Sequence, residues 1–362
     1  MSNIYTDANN IFKAGKKAIA GAPWKHSSQL FEMNQLLETA KLQKEIQDRE
    51  YRPEDGKMFW INERGKHRHV TSISCRDKTV NHVICDEVLT PYLDKYLIHD
   101  NGASREGKGV AFFRRRFEQH VREFYHEHGN KGFILLGDFR NYYGSIDSAE
   151  ATDMILDLLS EDLPDDVLEE TEWFLRVVLG DRVGINIGGQ PSQNVGITYA
   201  HKVDDYVKTV KGFRYYARYS DDFYVIGESK EILEDLKRDI CEVARKNGLQ
   251  IHPHKTHIAR IDEPFRILQI SYRLTESGKL VKRISPKAVT RERRRLKAYQ
   301  RLVEHQRMTT VEARNAFKSW MMLNFKNMSG QQIRNMNDLY VELFGEEITW
   351  KNSRLRYLTG RH

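Results

Sequence analysis

Residues 213–226 read FRYYARYSDDFYVI, and this stretch carries the clearest secondary-structure signal in the chain. Aromatic and β-branched residues fill both flanks, and Ser220-Asp221-Asp222 separates them. This pattern is typical of a β-hairpin with two carboxylates at its tip. Adjacent like charges repel each other, and a divalent cation is the usual compensation, although Asp-Asp is also a common turn dipeptide. The stretch therefore predicts a sheet and marks a candidate metal site.

A third carboxylate follows a second predicted strand. Residues 132–137 read GFILLG, a short apolar strand, and Asp138 closes it. Acids at the ends of neighbouring strands could hold two Mg²⁺ ions about 3.5–4 Å apart, the arrangement used for in-line attack on a phosphate. Mg²⁺ prefers oxygen ligands, and Mn²⁺ could replace it because carboxylates suit both ions.

Outside these strands, segments with the apolar spacing of helices alternate with segments typical of strands. Helices are predicted over 27–50, 77–98, 109–128, 148–160, 165–179 and 229–247, with another beginning near Ser192. Strands are predicted over 58–61 and 69–73, which form a hairpin that turns at Gly65, and over 249–251, 265–272 and 279–284. Strands and helices interleave up to about residue 285 and helices dominate afterwards. The sequence therefore predicts an α/β (α+β) fold with a helical appendage.

Composition excludes several classes of protein. The 362 residues suffice for two to three structural units, and the 40% hydrophobic content argues against a disordered chain. No apolar run approaches the roughly 18 residues of a membrane span, and the polar first thirty residues do not resemble a secretory signal. The three cysteines form no C-x-x-C pair, which favours a reducing, cytoplasmic location.

Basic residues outnumber acidic ones by 58 − 51 = 7, and they cluster. Residues 282–301 contain nine Lys or Arg and one acid, and five more basic residues lie within 105–116. Lys and Arg displace counterions from phosphates, and the aromatic residues nearby could stack on bases. A solvated helix face is the alternative. The predicted nucleic-acid contacts are Arg114, Arg115, Arg293, Arg294 and Arg295.

Five motifs together resemble the blocks of reverse transcriptases. Tyr219-Ser-Asp-Asp222 resembles the family's Y-x-D-D signature, and Gly137–Asp147 resembles its first catalytic block. Ile187–Gln193 resembles the glycine loop that leads into a helix, and His254-Lys255-Thr256 the lysine-threonine that follows the next helix. Residues 65–68, GKHR, resemble the basic hairpin of the fingers. The motifs occur in the family's order, and the resemblance covers about residues 25–330.

The resemblance implies a right-hand polymerase. It divides the chain into an N-terminal extension with fingers (1–132), a palm with the catalytic carboxylates (133–285) and a helical basic thumb (286–362). It implies an RNA-directed DNA polymerase that uses an RNA template, a DNA primer and dNTPs, with a non-coding RNA and a small accessory protein as further partners and no membrane.

The resemblance also assigns residue roles in metal binding and proton transfer. Asp138, Asp221, Asp222 and the carbonyl of Phe139 would be the metal ligands. Lys255 would protonate the leaving pyrophosphate as a general acid. The alternatives are an Asp222 that only shapes the turn and a Lys255 that is only solvated.

Five further residues would contact the nucleotide substrate. Lys66 and Arg68 are two apart on a predicted strand, so they share one side and could clamp the triphosphate. Tyr143 stands where the family screens the sugar 2′ carbon, Gln193 begins the helix that contacts template and nucleotide, and Arg140 lies beside the first acid. The alternative for Lys66 and Arg68 is an exposed basic hairpin. Tyr143 could instead be a core tyrosine, and Gln193 could make a helix-cap hydrogen bond.

Within the family, the I-G-x-x-x-S-Q pattern of residues 187–193 resembles diversity-generating retroelements of bacteria, as do Gly107-Lys108-Gly109 and Ser319-Trp320. Arg266–Ile270 departs from the usual F-L-G-F, and Met321 replaces the histidine-rich continuation of the Ser-Trp motif. Rival hypotheses are an antiphage defence enzyme that makes untemplated or protein-primed DNA, a non-catalytic RNA-binding scaffold, and a palm-type cyclase.

Overall fold

The computed structural model describes residues 4–63, 66–186 and 188–359, and for residues 62–63 and 66–69 it describes the backbone alone. The chain divides into two compact units. The first comprises Met1–His120 and Leu135–Ile258, and the second Val121–Ile134 and Ala259–His362. Within the described ranges, no helix combines the length and the apolar character that crossing a bilayer requires. The predicted division into fingers, palm and thumb stays a prediction.

The N-terminal part of the first unit consists of helices and one hairpin. The elements are α1 (Ala8–Ala20), α2 (His26–Met33), α3 (Gln35–Gln47), β1 (Lys57–Glu63), β2 (Lys66–Ser72), α4 (Cys75–Ile84), a π-helix (Cys85–Leu89), α5 (Thr90–Leu93), a 3-10 turn (Asp94–Tyr96) and α6 (Val110–His128), which continues into the second unit. Strands β1 and β2 pair antiparallel, which confirms the predicted hairpin. Its predicted turn residue, Gly65, lies outside the described residues.

Two predicted helices are interrupted. The helix predicted over 27–50 is α2 and α3, because Asn34 leaves helical geometry (φ −105°, ψ 14°) and its side-chain amide donates to the Leu30 carbonyl. The helix predicted over 77–98 contains a π-helical turn before Pro91, which lies in the first turn of α5. Proline has no backbone N–H to donate, so the regular ladder cannot continue through it.

The centre of the first unit is a four-stranded sheet. Its strands are β3 (Phe133–Asp138), β4 (Tyr216–Tyr219), β5 (Asp222–Gly227) and β6 (His257–Arg260), in the order β4-β5-β3-β6. The predicted apolar strand and hairpin are both confirmed, and β4 pairs antiparallel with β5 in a register that places Tyr219 opposite Asp222. A Cβ at Gly137 would overlap the ring of Phe223, so only glycine lets β3 lie this close to β5.

Helices surround this sheet. They are α7 (Tyr142–Ser145), α8 (Ser148–Leu159), α9 (Asp165–Leu179), α10 (Gln190–Tyr199), α11 (His201–Asp205), a π-helix (Tyr206–Val210) and α12 (Lys230–Lys246). Ser229 caps α12 through a hydrogen bond to the Ile232 amide, as its sequence predicted. The strand predicted over 249–251 is wrong, because this segment makes only a single bridge, between Ile251 and Phe139.

The second unit combines a small sheet with helices. Its remaining elements are β7 (Phe265–Ile267), β8 (Ile270–Leu274), β9 (Leu280–Ile284), α13 (Pro286–Glu304), α14 (Thr310–Asn324), a 3-10 turn (Phe325–Asn327), α15 (Gly330–Phe344) and α16 (Ser353–Thr359). The single strand predicted over 265–272 is wrong: Leu268 and Gln269 have φ of 42° and 74° and turn the chain into a hairpin. The predicted helical C-terminal part is confirmed, and Leu296, Phe317 and Tyr340 lie in its core.

Candidate active site

The tip of the β4–β5 hairpin forms a tight carboxylate-bearing turn, Ser220–Asp222, which we call the catalytic turn. Strand β4 ends at Tyr219, β5 begins at Asp222, and Ser220 adopts a left-handed conformation with φ 56°. The Asp221 carbonyl accepts a hydrogen bond of 3.0 Å from the backbone N–H of Phe139. The catalytic turn is thereby fixed beside the end of β3, where the third predicted acid lies.

Asp138 is held at that strand end from two sides. Its backbone N–H donates to the Thr256 hydroxyl (3.3 Å), and its carbonyl accepts from the His252 N–H (2.7 Å). The Lys255 ammonium donates to both oxygens of the Asp138 carboxylate, at 2.8 and 2.7 Å. The segment that contains the predicted lysine-threonine therefore meets the predicted first acid, across 117 residues of sequence.

The electrostatics of Asp222 show that the acids act on one another. Burial, and then the negative charges of Asp221 and Asp138, raise the pKa of the Asp222 carboxyl to about 7, while Lys255 opposes the shift. Three carboxylates supply oxygen donors only, the ligand type that Mg²⁺ prefers, and their repulsion is what a cation would relieve. The donor set thus fits a divalent ion. Among the described residues, however, no group of three or more His, Cys, Asp or Glu side chains is already arranged around a metal-sized position.

A buried ion pair supports the catalytic turn, and no sequence motif predicted it. The Arg218 and Asp204 side chains are both fully buried and pair at 2.7 Å. Arg218 also donates to the Ser220 carbonyl (3.0 Å) and to the Ile197 carbonyl (2.7 Å). It therefore links α11, α10 and the catalytic turn. The available signal was a charged residue between the buried aromatic and small residues of β4, where only a paired charge is tolerated.

Of four predicted substrate residues, Tyr143 and Phe139 contact the catalytic turn. Tyr143 has a side-chain hydrogen bond with Ser220, and burial raises the pKa of its phenol. Phe139 is buried and packs on the ring of Phe223, 5.6 Å between centroids, whereas Arg140 is exposed. Gln193 is exposed in the first turn of α10. As far as the described residues show, no side chain caps that helix, so a capping role for Gln193 is not supported.

The predicted triphosphate clamp lies on β2. Lys66 is opposite Glu63 in the hairpin, and Arg68 is opposite Ile61. The two positions alternate with His67 and therefore share one face of the strand. Their side chains lie outside the described part of the structure.

The two basic clusters differ in how their charges are used. In the first, Arg105 pairs with Asp94 and Arg116 pairs with Asp100, so these residues support the fold. Arg115 of the same cluster is exposed and Arg114 is partly buried. In the second, the three predicted contacts on α13 are exposed: Arg293, Arg294 and Arg295.

A solved telomerase structure shows the same fold. Telomerase from Candida albicans, solved with a TWJ fragment of telomeric RNA, matches with a TM-score of 0.50 at 12% identity over 85% of this chain. The match covers 62% of that telomerase, so this chain spans less than two thirds of it. Apo telomerase from Candida tropicalis, truncated from its C-terminal domain, matches with a TM-score of 0.48 at 13% identity, over 62% of this chain and 54% of the other. No curated protein matches.

The family comparison agrees with the geometry. The family described as reverse transcriptase (RNA-dependent DNA polymerase) matches residues 54–272, which include the catalytic turn, Asp138 and Lys255. Together with the telomerase fold, this match confirms the predicted α/β polymerase fold. The family match alone confirms the predicted enzyme class, a nucleotidyltransferase of the RNA-directed DNA polymerase type. Such domains generally use divalent metal ions. The chain belongs to the reverse transcriptase family.

Proposed function

We propose that this protein synthesises cDNA from a structured RNA template by two-metal nucleotidyl transfer, in a bacterial or prophage retroelement of the diversity-generating type. The observation that carries the proposal is the convergence of Asp138, Asp221 and Asp222 at adjacent strand ends, where the Phe139 N–H donates to the Asp221 carbonyl and the charges of Asp221 and Asp138 act on Asp222. A partly buried acid beside two other acids is costly to a fold, and a cation site beside a phosphate accounts for the arrangement.

The metal ligands in this proposal are the three carboxylates and the carbonyl of Phe139. Two Mg²⁺ ions bound there would activate the primer 3′-hydroxyl and stabilise the leaving pyrophosphate. Lys255 already lies at the Asp138 carboxylate and carries protons on its ammonium, so it is placed to protonate the leaving group. The Arg218 guanidinium holds the carbonyl of Ser220 and thereby fixes the turn that presents Asp221.

Other residues would recognise the nucleotide. The Tyr143 ring, beside the catalytic turn, would exclude a 2′-hydroxyl by contact and so select deoxynucleotides. Lys66 and Arg68 would bind the triphosphate from β2, Arg140 would add a positive charge next to Asp138, and Gln193 would contact template or nucleotide from the start of α10.

The partners in this proposal are the RNA template, the DNA primer and product, and dNTPs. A non-coding RNA and a small accessory protein would join them, in the cytoplasm. The exposed guanidinium groups of α13, together with Arg114 and Arg115, are the contacts to phosphates that we propose. A template repeat with a variable copy encoded near the gene would support the retroelement role, and its absence would favour a role in antiphage defence.

Primer extension tests the activity. The wild type, given an RNA template, an annealed DNA primer, dNTPs and Mg²⁺, should produce DNA complementary to the template. Asp221→Asn should abolish extension and leave RNA binding intact, since the amide keeps the shape but loses the charge. Asp157→Asn, an exposed acid on α8, is the matched control and should extend normally.

Sequencing of the products separates the rival functions. Complementary products establish templated synthesis, whereas homopolymeric or protein-linked products would indicate the defence chemistry. Extension by Asp221→Asn at the rate of the wild type would overturn the metal assignment. RNA binding without any extension by the wild type would favour the scaffold.

A further inference from the structure

Gly196 lies in the interior of α10, where glycine needs a reason. Glycine inside a helix costs about 0.5–1 kcal/mol relative to alanine. Gly196 is buried, and its φ is not among the positive values that require glycine. The backbone therefore tolerates a side chain at this position, and the reason for glycine must lie in the space around it.

That space is filled by the ring of Tyr143. A Cβ at Gly196 would lie 2.7 Å from Cε1, 3.1 Å from Cζ and 3.2 Å from the phenol oxygen of Tyr143. An ordinary contact begins at 3.4 Å, so a methyl group would force the ring outward by about 3.4 − 2.7 = 0.7 Å. The tyrosine thus packs directly on the backbone of the helix.

The neighbourhood limits how the ring could yield. The Tyr143 carbonyl accepts a 2.9 Å hydrogen bond from the Ile185 N–H, which fixes its backbone. The adjacent Tyr142 is buried, and its hydroxyl donates to the Gly196 carbonyl at 2.5 Å. Both tyrosines are therefore tied to one turn of α10. Displacement away from the helix, by rotation of the side chain, leaves these two bonds intact and stretches the hydrogen bond between the Tyr143 side chain and Ser220.

We propose that Gly196 is a specificity-determining residue, because its missing side chain sets how far the Tyr143 ring withdraws from the nucleotide sugar. The proposal rests on the proposed function, in which Tyr143 screens the 2′ position. A methyl group at residue 196 would move the ring away from α10 and narrow the space for the sugar. Gly196 itself acts through Tyr143 and is a positioning residue.

A double-mutant cycle tests this inference. Single-nucleotide incorporation of dNTP and rNTP on one RNA template is measured for wild type, Gly196→Ala, Tyr143→Ala and the double variant. Gly196→Ala should lower rNTP incorporation relative to dNTP on the order of tenfold, as expected for one added carbon in a steric pocket. In the Tyr143→Ala background the same substitution should leave the ratio unchanged, since no ring is left to move.

Gly15→Ala is the matched control. Gly15 is a buried glycine in the interior of α1, and a Cβ there would lie 2.8 Å from the side-chain nitrogen of Gln35. The distance is comparable, although the neighbouring atom is the end of a flexible side chain, and α1 contains no predicted site residue. The control should leave the ratio of rNTP to dNTP incorporation unchanged, whatever its effect on the melting temperature.

The possible outcomes separate the two proposals. Lack of incorporation by the wild type refutes the proposed function, whereas an active wild type with an unchanged ratio in Gly196→Ala refutes the inference alone. An equal change of the rNTP-to-dNTP ratio in the wild-type and Tyr143→Ala backgrounds also refutes the inference, because the effect would then not depend on the ring. If Gly196→Ala does not fold, Tyr143→Phe with and without Gly196→Ala repeats the comparison with a ring that lacks the hydroxyl contact at 3.2 Å and the bond to Ser220, and so can yield more easily. Failure of that variant as well would make the contact purely structural and overturn the inference.

Discussion

The catalytic turn and helix α13 both concentrate charges of one sign, but they hold them in opposite ways. Asp221 and Asp222 are partly buried, and the turn that carries them is fixed by Phe139 and Arg218. On α13, Arg293–Arg295 are exposed on a helix surface whose opposite side buries Leu296. The acids of the catalytic turn therefore depend on one another, whereas the three guanidinium groups of α13 are exposed to solvent. Of these three, Arg295 has an ion pair, with Glu292 at 3.7 Å. The effects of substitutions should be large and coupled in the catalytic turn, and small and additive on α13.

The largest effect should come from the buried support of the catalytic turn. Arg218→Met would leave the fully buried Asp204 carboxylate without its partner, which costs about 3–5 kcal/mol of unfolding free energy. Arg238→Met is the matched control, because Arg238 pairs with Asp235 at 2.5 Å on the exposed side of α12. That pair contributes about 1 kcal/mol or less. Urea unfolding of both variants measures the difference.

Activity adds a second test of the same pair. A conservative Arg218→Lys variant keeps one positive charge but loses the fork that reaches both Asp204 and the Ser220 carbonyl. Its primer extension should fall even at temperatures where the variant is folded. Equal stability losses in Arg218→Met and Arg238→Met would remove the contrast between buried and exposed charges.

Tyr143→Ala should produce the next largest effect. Removal of the ring should raise ribonucleotide relative to deoxynucleotide incorporation at least tenfold, about 1.4 kcal/mol in relative barrier, and leave the carboxylates in place. Tyr96→Ala, a partly buried tyrosine whose hydroxyl donates to the Leu158 carbonyl, is the control and should not change the ratio. Parallel loss of both activities with a lowered melting temperature would instead identify Tyr143 as a core residue.

Burial of Asp222 and its coupling to the other acids predict a pH dependence of Mg²⁺ binding. The pKa of Asp222 is raised to about 7, so the carboxyl is mostly protonated below pH 7 and must lose its proton before it binds a cation. The affinity for Mg²⁺ should therefore rise about tenfold per pH unit between pH 5 and 7 and level off above. Calorimetric titration of the protein without nucleic acid measures it. Asp222→Asn should bind more weakly, without this dependence, and a flat profile in the wild type would contradict the coupling.

Local patterns predicted much of the catalytic region. The apolar run before Asp138 and the aromatic flanks of the Asp-Asp pair suffice to predict β3 and the β4–β5 hairpin, since each pattern belongs to one element. The family resemblance assigned Asp138 and Lys255 to one active site, but it did not predict the ion pair between them. The pairing of Arg218 with Asp204 could not be predicted, because it joins a strand to a helix and no spacing rule connects them.

The missed boundaries have a common physical cause. The turn at Leu268-Gln269 contains neither glycine nor proline, yet both residues adopt positive φ. Asn34 ends α2 with a hydrogen bond from its own side chain, which an apolar periodicity does not register. Tertiary context and side-chain hydrogen bonds set both boundaries, and the spacing of apolar residues carries no information on either.

The smallest effects per residue are expected on α13, where additivity distinguishes exposed charges from the coupled acids of the catalytic turn. Each of Arg293, Arg294 and Arg295, changed singly to Gln, should weaken nucleic-acid binding and lower the slope of log K against log salt by about 0.7–0.9. Because the side chains are exposed, the three single effects should add up to that of the triple variant. Fluorescence anisotropy at several salt concentrations measures each slope.

Net charge alone must be separated from contact in that experiment. The triple variant lowers the formal charge from +7 to 7 − 3 = +4, and so does neutralisation of Lys230, Arg238 and Lys246 on α12. Each of these three cations pairs with an acid of the same helix, so they form the matched control. If α13 contacts phosphates, only its variants change the slope, because counterion release requires a bound phosphate and not merely a lower net charge. An equal change in both triples would assign α13 to a solvated face, and a triple that departs from the sum of its singles would show that its charges are coupled like those of the catalytic turn.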